Sequence, residues 1–311
     1  MTTHLLDLPT EILNQILTSL STSSLLRFSE TSHHARTFVN ANLRTLSLGI
    51  APLNPPFFNL LEHDQSINKT IGITSTKRPY AIWLRIPKAQ VDEYWALLNF
   101  QSALVTSILK RHGAMLQNLE ISVWALTLPM ARAIANLRAL RRFSLRIERA
   151  VNGPRSRIAV EREEQGRAWE LLTKSTPVWS CGLMRLELEN CDLETEQLAA
   201  LLKDSWRCEE LGLDLCRYLG KSLWTWLMEW KGRDKLRVLD VSHCGGTLGG
   251  EARTAMGKLD GIKSLNIYDC QEQEPGEFER YNRDLWHIAN FVAPRPGGHG
   301  ADMIIEVDTD Y

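Results

Sequence analysis

The sequence predicts an α/β protein in which a small helical module precedes a solenoid with a curved parallel sheet and outer helices. Two observations predict this fold. An L-x-x-L-x-L pattern with aliphatic substitutions recurs along the 311 residues, and stretches with helical spacing of apolar residues fall between its copies. A single strand–helix unit is too small to bury its own apolar side, so repeated units of this kind stack into one continuous core.

The clearest copies of the pattern lie between residues 183 and 270, where a cysteine follows three residues after the last aliphatic position. Four successive copies share this cysteine: Cys191, Cys216, Cys244 and Cys270. Their spacings of 25, 28 and 26 residues fall within the period of about 20–29 residues typical of leucine-rich repeats. In this part the chain resembles the cysteine-containing form of the leucine-rich-repeat family. The resemblance implies a strand at each copy and a helix after it.

Weaker copies extend the prediction toward both ends of the chain. They begin at Leu43, Leu116 and Leu140, and further strands are predicted at 81–86 and, as a closing strand, at 303–307. Helices are predicted between the strands at 90–112, 195–204, 219–230, 251–259 and 278–292. Residues 147–182 exceed one repeat and are predicted to be an insertion with a charged helix at 158–174. The solenoid is therefore expected to span residues 81–311.

Residues 1–45 have a different, helical period. Leu8-Pro9-Thr10-Glu11-Ile12 opens a predicted helix, with Pro9 in the first turn, where its missing N–H is tolerated. Two further short helices follow, the last one capped by Thr31-Ser32. Three short helices cannot bury all their aliphatic surface, so an apolar face is expected to stay open to a partner. Residues 46–80, rich in Pro, Asn, Ser and Thr, are predicted to be an irregular connector.

The N-terminal stretch resembles the F-box in the order of its blocks. Leu-Pro-x-Glu-Ile-Leu is followed by a second apolar block and then by Leu-Leu-Arg-Phe-Ser. The resemblance covers roughly residues 5–45 and implies binding to the S-phase-kinase-associated (Skp-type) adaptor of a cullin-RING ubiquitin ligase. The implied contact residues are Leu8, Pro9, Ile12, Ile16, Leu25 and Leu26. The alternative is that these side chains dock onto the first repeat and only cap the solenoid.

Strand alternation predicts which polar residues line the inner surface of the sheet. If Leu186 and Leu188 point into the core, their neighbours point to the opposite, concave face. The same register in other copies places there a series that runs from basic to acidic: Arg142, Arg146, Glu187, Glu189, Glu210, Asp214, Asp240 and Tyr268. Solenoids bind partners through this surface, so we expect it to contact a protein target with a basic segment. The alternative is that these polar residues only keep the sheet soluble.

A second charge pattern is a run of arginines between residues 132 and 157. It contains Arg132, Arg138, Arg141, Arg142, Arg146, Arg149, Arg155 and Arg157. The single acid in this run is Glu148. Such a cluster would attract a phosphate-rich or acidic partner, because the arginine fork suits bidentate binding of phosphate or carboxylate. The favoured interpretation is a solvated face that is partly neutralised by Glu161, Glu163 and Glu164.

The sequence shows no pattern of catalytic residues, metal ligands or cofactor-binding loops. The glycine-rich stretch 245–250 lacks the lysine and hydroxyl residue of a phosphate loop, and the histidines lack zinc-site spacing. We therefore expect no enzyme activity, no cofactor and no metal. With 36 basic and 37 acidic residues, six cysteines and no secretory signal, the chain is expected to be cytoplasmic or nuclear. A membrane or a nucleic acid is not an expected partner.

These interpretations combine into one leading prediction. The chain is expected to be a non-catalytic substrate receptor of a Skp/cullin/F-box-type ubiquitin ligase, with the N-terminal helices on the adaptor and the repeats on a target protein. A leucine-rich-repeat scaffold that works outside any ligase is the alternative from a different class. Recognition of RNA or another polyanion through the arginine cluster is a third interpretation.

Overall fold

The structure is a computed structural model that describes residues 8–18, 20, 22–52, 82–86, 94–148, 155–244, 247–272 and 276–294. Three helices come first and are followed by alternating strands and helices. The largest element is a sheet of nine parallel strands that does not close on itself. This mixed α/β architecture with an open parallel sheet is consistent with the predicted solenoid-like arrangement.

The N-terminal module consists of helices α1 (Thr10–Thr18), α2 (Thr22–Glu30) and α3 (His33–Asn42). Ser32 caps α3 as expected, since its hydroxyl accepts a hydrogen bond from the Ala35 N–H at 3.0 Å. Four apolar side chains of α1 and α3 are buried: Leu13, Leu17, Ala35 and Val39. The module therefore hides only part of its aliphatic surface.

The main sheet has the strand order β11-β9-β7-β6-β5-β4-β3-β1-β2. Its strands are β1 (Thr45–Pro52), β2 (Ile82–Ile86), β3 (Asn118–Val123), β4 (Arg142–Ile147), β5 (Arg185–Glu189), β6 (Glu210–Asp214), β7 (Val238–Asp240), β9 (Ser264–Asn266) and β11 (Asn290–Val292). Two short strands, β8 (Thr247–Leu248) and β10 (Gln271–Glu272), pair with each other beside it. The four strands predicted from the cysteine-containing copies are all present.

The prediction of an irregular connector at 46–80 is wrong for its first residues, because Thr45–Pro52 forms the strand β1. Residues 53–81 lie outside the described residues. The strand β1 pairs with β2 on one side and β3 on the other, so the order of strands departs from the order of the chain. All residues from Leu46 to Ile50 are buried. Burial on both faces favours an interior position in a parallel sheet, and the weak copy at Leu43 is the sequence signal for this strand.

The helices that follow the strands contact one another in chain order. They are α4 (Tyr94–His112), α5 (Leu128–Ala135), α6 (Arg155–Lys174), α7 (Thr195–Leu201), α8 (Ser222–Glu229), α9 (Gly250–Gly257) and α10 (Glu277–Tyr281), the last of which continues into a π-helical turn, Asn282–Trp286. One cluster of buried side chains extends from Leu46 in β1 to Ile288 before β11. The other face of β4, β5 and β6 carries partly exposed residues, so in this part of the sheet the helices cover one face only.

The structure changes two predictions, one about the stretch 147–182 and one about the last predicted helix. The stretch 147–182, predicted as an insertion, contains α6, which packs between α5 and α7 and thus supplies the helix between β4 and β5. The helix predicted at 278–292 is wrong in its second half, since Asn290–Val292 forms the edge strand β11. The closing strand predicted at 303–307 lies outside the described residues.

The turns after β5, β6, β7 and β9 share one backbone conformation. The residue before each repeat cysteine has a positive φ, between 52° and 57°: Asn190, Leu215, His243 and Asp269. This left-handed conformation costs L-residues about 1–2 kcal/mol, and Asn, Asp and His tolerate it best. The φ of 57° at Leu215 is the costly case, because a bulky side chain rarely adopts it.

The repeat cysteines connect each turn to the preceding repeat. Their thiols lie 3.0–3.8 Å from backbone carbonyl oxygens of the strand before: Cys191 to Leu145, Cys216 to Leu188, Cys244 to Leu213 and Cys270 to Val241. All four thiols are buried. A small side chain with a weak donor fits this position because the carbonyl oxygen needs a partner in a space that a larger polar group would overfill.

Among the described residues, no helix has the length and apolar character that a membrane span needs.

Candidate functional site

The first candidate surface is the exposed side of α1. Leu8 and Ile12 are 36 % and 42 % exposed, whereas Leu13 and Leu17 on the other side of the helix are buried. Pro9 is exposed directly before the helix, and its carbonyl oxygen accepts the Leu13 N–H at 3.0 Å. Three of the predicted adaptor contacts therefore lie together on a surface that the rest of the described chain leaves open.

The other predicted adaptor contacts are less exposed. Ile16 and Leu25 are half-buried, and the side chain of Leu26 lies outside the described residues. Leu20, which the sequence analysis did not include, is 38 % exposed just after α1. Its spacing of four residues from Ile16 could have identified it, because residues four apart share one side of a helix.

The second candidate surface is the open face of the main sheet, the face opposite the helices. The strand register aligns the predicted residues in rows across β4, β5 and β6. One row contains Arg142, Arg185 and Glu210, and another contains Arg146, Glu189 and Asp214. A middle row joins Glu187 through Gly212 to Asp240. The predicted alternation is confirmed, since Leu186 and Leu188 are buried while these neighbours are not.

Ion pairs between adjacent strands neutralise much of the charge predicted for this face. Arg185 pairs with Glu187 and, through Nη1 at 3.1 Å, with the Glu210 carboxylate. Arg146 Nε lies 2.7 Å from Glu148 Oε1 and 3.6 Å from Glu189 Oε1. The three glutamates predicted for this face, Glu187, Glu189 and Glu210, are thus already close to arginines of the same sheet.

The acidic end of the open face surrounds His243. The His243 Nδ1 lies 2.8 Å from Asp214 Oδ1, and its Nε2 lies 3.9 Å from Asp269 Oδ2. Asp240 accepts hydrogen bonds from the Ser242 hydroxyl at 2.7 Å and the Asn266 amide at 3.1 Å. The structure therefore brings Asp214 and Asp240 together with groups from the turn after β7 and from β9.

Tyr268 also belongs to this end of the face. Its ring meets the His243 ring edge-on, with the centroids 5.4 Å apart. Tyr268, Asp214 and Asp240 were predicted for this face from the sequence, whereas His243 and Asp269 were not. Both of the missed residues stand directly before a repeat cysteine, which is the signal that could have identified them.

The pKa values in this cluster follow from its hydrogen bonds and its burial. The hydrogen bond to Asp214 raises the pKa of His243 above its usual value, against the effect of burial. Burial raises the pKa of Asp240, although hydrogen bonds from Ser242 and Asn266 act in the opposite direction. Both groups favour their protonated forms more than they would in water.

The structure divides the arginine cluster predicted at 132–157. Arg132, Arg138, Arg141 and Arg142 are exposed, Arg146 is half-buried in its ion pairs, and the side chains of Arg149, Arg155 and Arg157 lie outside the described residues. Two of the three acids expected to neutralise the cluster have other contacts. Glu163 pairs with Arg167, and Glu164 accepts a hydrogen bond from the Leu128 N–H at the start of α5.

Within the described residues, no three His, Cys, Asp or Glu side chains are arranged to hold a metal ion. Burial raises the pKa of Cys208 and Cys270 to about 12, which disfavours the reactive thiolate.

Comparison with protein families assigns the N-terminal module. Residues 5–46 match the family model of the F-box domain. The F-box resemblance of the sequence is thereby confirmed, and α1 with its exposed Leu8 and Ile12 belongs to that domain. F-box domains bind Skp-type adaptors of cullin-RING ubiquitin ligases. A search of curated proteins finds no match to the chain.

Proposed function

We propose that the protein is the substrate-recognition subunit of a Skp/cullin/F-box-type ubiquitin ligase. The observation that carries the proposal is an F-box domain whose first helix leaves Leu8, Pro9 and Ile12 exposed. Exposed apolar side chains grouped on one side of a helix are typical of a docking surface. If the module served only as a cap of the solenoid, these side chains would be expected to pack against the first strands.

The C-terminal part of the proposal is a leucine-rich-repeat solenoid that presents a target protein. The parallel sheet, the buried leucine columns and the cysteine in each of four successive turns support it. The open face of the sheet is the surface on which solenoids of this kind bind partners. Arg142, Arg146, Glu187, Glu189, Glu210, Asp214, Asp240 and Tyr268 are the residues proposed to contact the target.

The affinity for a positively charged target segment is proposed to differ along this face. A basic segment would find its best site beside Asp214, Asp240 and Asp269, three carboxylates that face a single basic group, His243. Glu187, Glu189 and Glu210 are already close to arginines, so a basic segment there would have to compete with existing ion pairs.

The proposed mechanism is non-catalytic. Binding the adaptor and the target on one chain raises the local concentration of the target near a ubiquitin-charged enzyme, and effective concentration alone accelerates a transfer that the ligase performs.

Adaptor binding tests the proposal. The full chain carrying both Leu8→Asp and Ile12→Asp should lose at least tenfold in affinity for a purified Skp-type adaptor, because charge enters an apolar contact. Its thermal unfolding should stay unchanged, since both side chains are exposed. Isothermal titration calorimetry with the wild-type chain and the variant measures the effect.

A matched control is Val178→Asp, which places the same charge on an exposed apolar side chain far from the F-box domain. This variant should bind the adaptor like the wild type. A wild-type chain that does not bind the adaptor, or a double variant that binds it equally well, would contradict the ligase role and favour a scaffold outside any ligase.

A further inference from the structure

Six basic side chains lie together at the edge of the main sheet where its first strands begin. Three turns enter strands β1, β3 and β4 at this edge, and they carry six basic residues and no acidic one. The residues, called here the basic edge, are Arg44, Lys110, Arg111, Arg138, Arg141 and Arg142. All six side chains are exposed. The arginine cluster predicted at 132–157 includes Arg138, Arg141 and Arg142, whereas Arg44, Lys110 and Arg111 lie outside it in the sequence.

Backbone hydrogen bonds fix the spacing of these side chains. The Gln117 N–H donates to the Arg44 carbonyl, and the Arg141 N–H donates to the Gln117 carbonyl, both at 2.8 Å. Arg44 and Arg141 therefore stand at the same level on β1 and β4, with β3 between them. Adjacent strands lie about 4.8 Å apart, so the two residues are separated by about 10 Å. This distance corresponds to about three residues of a peptide in the extended polyproline II conformation, in which side chains three residues apart lie on the same side.

The charge of the basic edge is not neutralised by the described part of the chain. None of the six side chains has an ion-pair partner among the described residues, whereas Arg146 and Arg185 on the same sheet do. Lys110 and Arg111 end α4, where a positive charge also interacts favourably with the helix dipole. That effect does not account for Arg44, Arg141 or Arg142, which lie outside helices.

The length of the basic edge distinguishes a short acidic peptide from a nucleic acid as its partner. It ends at β5, because Arg185 is paired with Glu187 and Glu210 and the next turn contains Glu209. Nucleic-acid binding draws on many phosphate contacts along a long basic surface, and single strands add stacking on aromatic rings. The described turns of the basic edge contain no Phe, Tyr or Trp, their histidine His112 is half-buried, and their large exposed apolar side chain is Met115. A short acidic peptide fits this surface better.

We propose that the basic edge binds a carboxylate-rich, extended peptide segment of a partner protein. Arg44 and Arg141 would bind acidic side chains about three residues apart, and Arg142 and Arg138 would extend the contact. The turn Gly113–Met115 contacts α3 of the F-box domain, so the bound segment would lie beside that domain. The statement that this segment belongs to a ligase target rests on the proposed function, whereas the binding itself does not.

Peptide binding to the full chain tests the proposal. The probe is a fluorescein-labelled twelve-residue peptide of glycine and serine with a glutamate at every third position, and the comparison peptide has glutamine at those positions. The glutamate peptide should bind at least tenfold more tightly, and its affinity should fall with rising salt. The triple variant Arg44→Ala, Arg141→Ala, Arg142→Ala should lose at least tenfold in affinity, as measured by fluorescence anisotropy.

The matched control is Lys231→Ala, Lys258→Ala, Lys263→Ala. It removes the same charge from exposed residues of later turns at the same sheet edge, where Asp234 and Asp260 also lie. This variant should bind the peptide within twofold of the wild type. Equal affinity of wild type and the first triple variant, or an equal loss in both triple variants, would overturn the proposal.

Two further probes decide the chemistry of the partner. A phosphoserine peptide that binds while the glutamate peptide does not would overturn the carboxylate assignment. A twenty-nucleotide single-stranded DNA that binds through the same arginines more tightly than the peptide would overturn the peptide assignment. Adaptor affinity of the double variant Arg141→Ala, Arg142→Ala, whose positions lie outside the F-box domain, is measured in parallel and should be unchanged, so failure of the peptide experiment and failure of the ligase role give different results.

Discussion

His243 shows how one residue of the repeat can serve the turn and the open face together. Its φ of 52° belongs to the left-handed turn that precedes each repeat cysteine. The same turn places its ring against Asp214 and near Asp269. At the equivalent position of the preceding turn stands Leu215, which has the same backbone conformation without a polar side chain. The cluster of charged side chains around His243 therefore depends on the histidine at this position and not on the backbone conformation of the turn.

The raised pKa of His243 predicts how stability depends on pH. A group whose pKa is higher in the folded state than in the unfolded one stabilises the fold fully below its unfolded pKa. That contribution is lost as the pH rises through the folded pKa. In His243→Asn, whose new side chain tolerates the left-handed turn, the stability lost relative to wild type should be greater at about pH 5.5 than at about pH 8.5. Because the pair is partly exposed, the change should stay within about 1 kcal/mol.

Urea unfolding of both proteins at the two pH values measures this difference. Asp240 also has a raised pKa, but it is present in both proteins and its contribution largely cancels. A loss that is constant, or that increases toward pH 8.5, would show that the histidine does not interact with Asp214 in its protonated form.

At the level of elements, α6 joins two repeats through its apolar side. Trp169 and Leu172 are fully buried in the main cluster, whereas Glu163–Arg167 and Glu170–Lys174 form ion pairs along its exposed side. Exposed ion pairs of this spacing contribute little to stability. The length of the stretch 147–182 suggested an insertion, but the buried residues of α6 make it a part of the core between β4 and β5.

Removal of the indole of Trp169 tests the role of α6. Trp169→Ala should lower the free energy of unfolding by about 3–5 kcal/mol, because a large cavity opens in the main cluster. Its indole N–H has no hydrogen-bond partner among the described residues, so Trp169→Phe should retain more of the stability. Denaturant unfolding monitored by circular dichroism measures both.

The control for this prediction is Val160→Ala, on an exposed position of the same helix. It should change the free energy of unfolding by no more than about 0.5 kcal/mol. If Trp169→Ala changed the free energy of unfolding as little as Val160→Ala, α6 would not contribute to the core between β4 and β5.

At the level of the whole molecule, acidic and basic residues are nearly equal in number but are concentrated at different edges of the sheet. The basic edge lies where the first strands begin, and acids such as Asp192, Glu194 and Glu196 follow the end of β5 at the opposite edge. Separated charge of this kind orients a charged partner as it approaches. The formal net charge of −1 therefore says little about which partners the surface attracts.

The reactivity of the cysteine thiols measures whether the stacked strand–helix units stay packed. Cys181 is exposed, and the other five cysteines are buried in successive turns and strands. Under native conditions, Ellman's reagent should therefore titrate one thiol rapidly, and all six only after unfolding in denaturant. Cys181→Ser should remove the rapid phase. Rapid reaction of two or more thiols in the native protein would mean that the turns open independently of the stack.

Much of the fold could be predicted from local patterns. The strands β5, β6, β7 and β9 follow from leucine spacing and the repeat cysteine, and α5 is the one helix between described strands that the sequence analysis did not name. Leu8 and Ile12 were expected as adaptor contacts from the F-box resemblance, and both side chains are exposed at the start of the module. The interior position of β1 was not predicted, since strand order depends on burial against distant strands.

The sequence by itself determined the period, because the spacing of leucines, cysteines and helical apolar residues is a property of neighbouring positions. Only the tertiary structure decided which charges are neutralised and which remain available. Arg146 and Arg185 meet carboxylates of adjacent strands, whereas Arg44 is brought beside Arg141 by a shared hydrogen-bond ladder. Coulomb interactions depend on distance in space, and distance in space between residues far apart in the chain is set by packing.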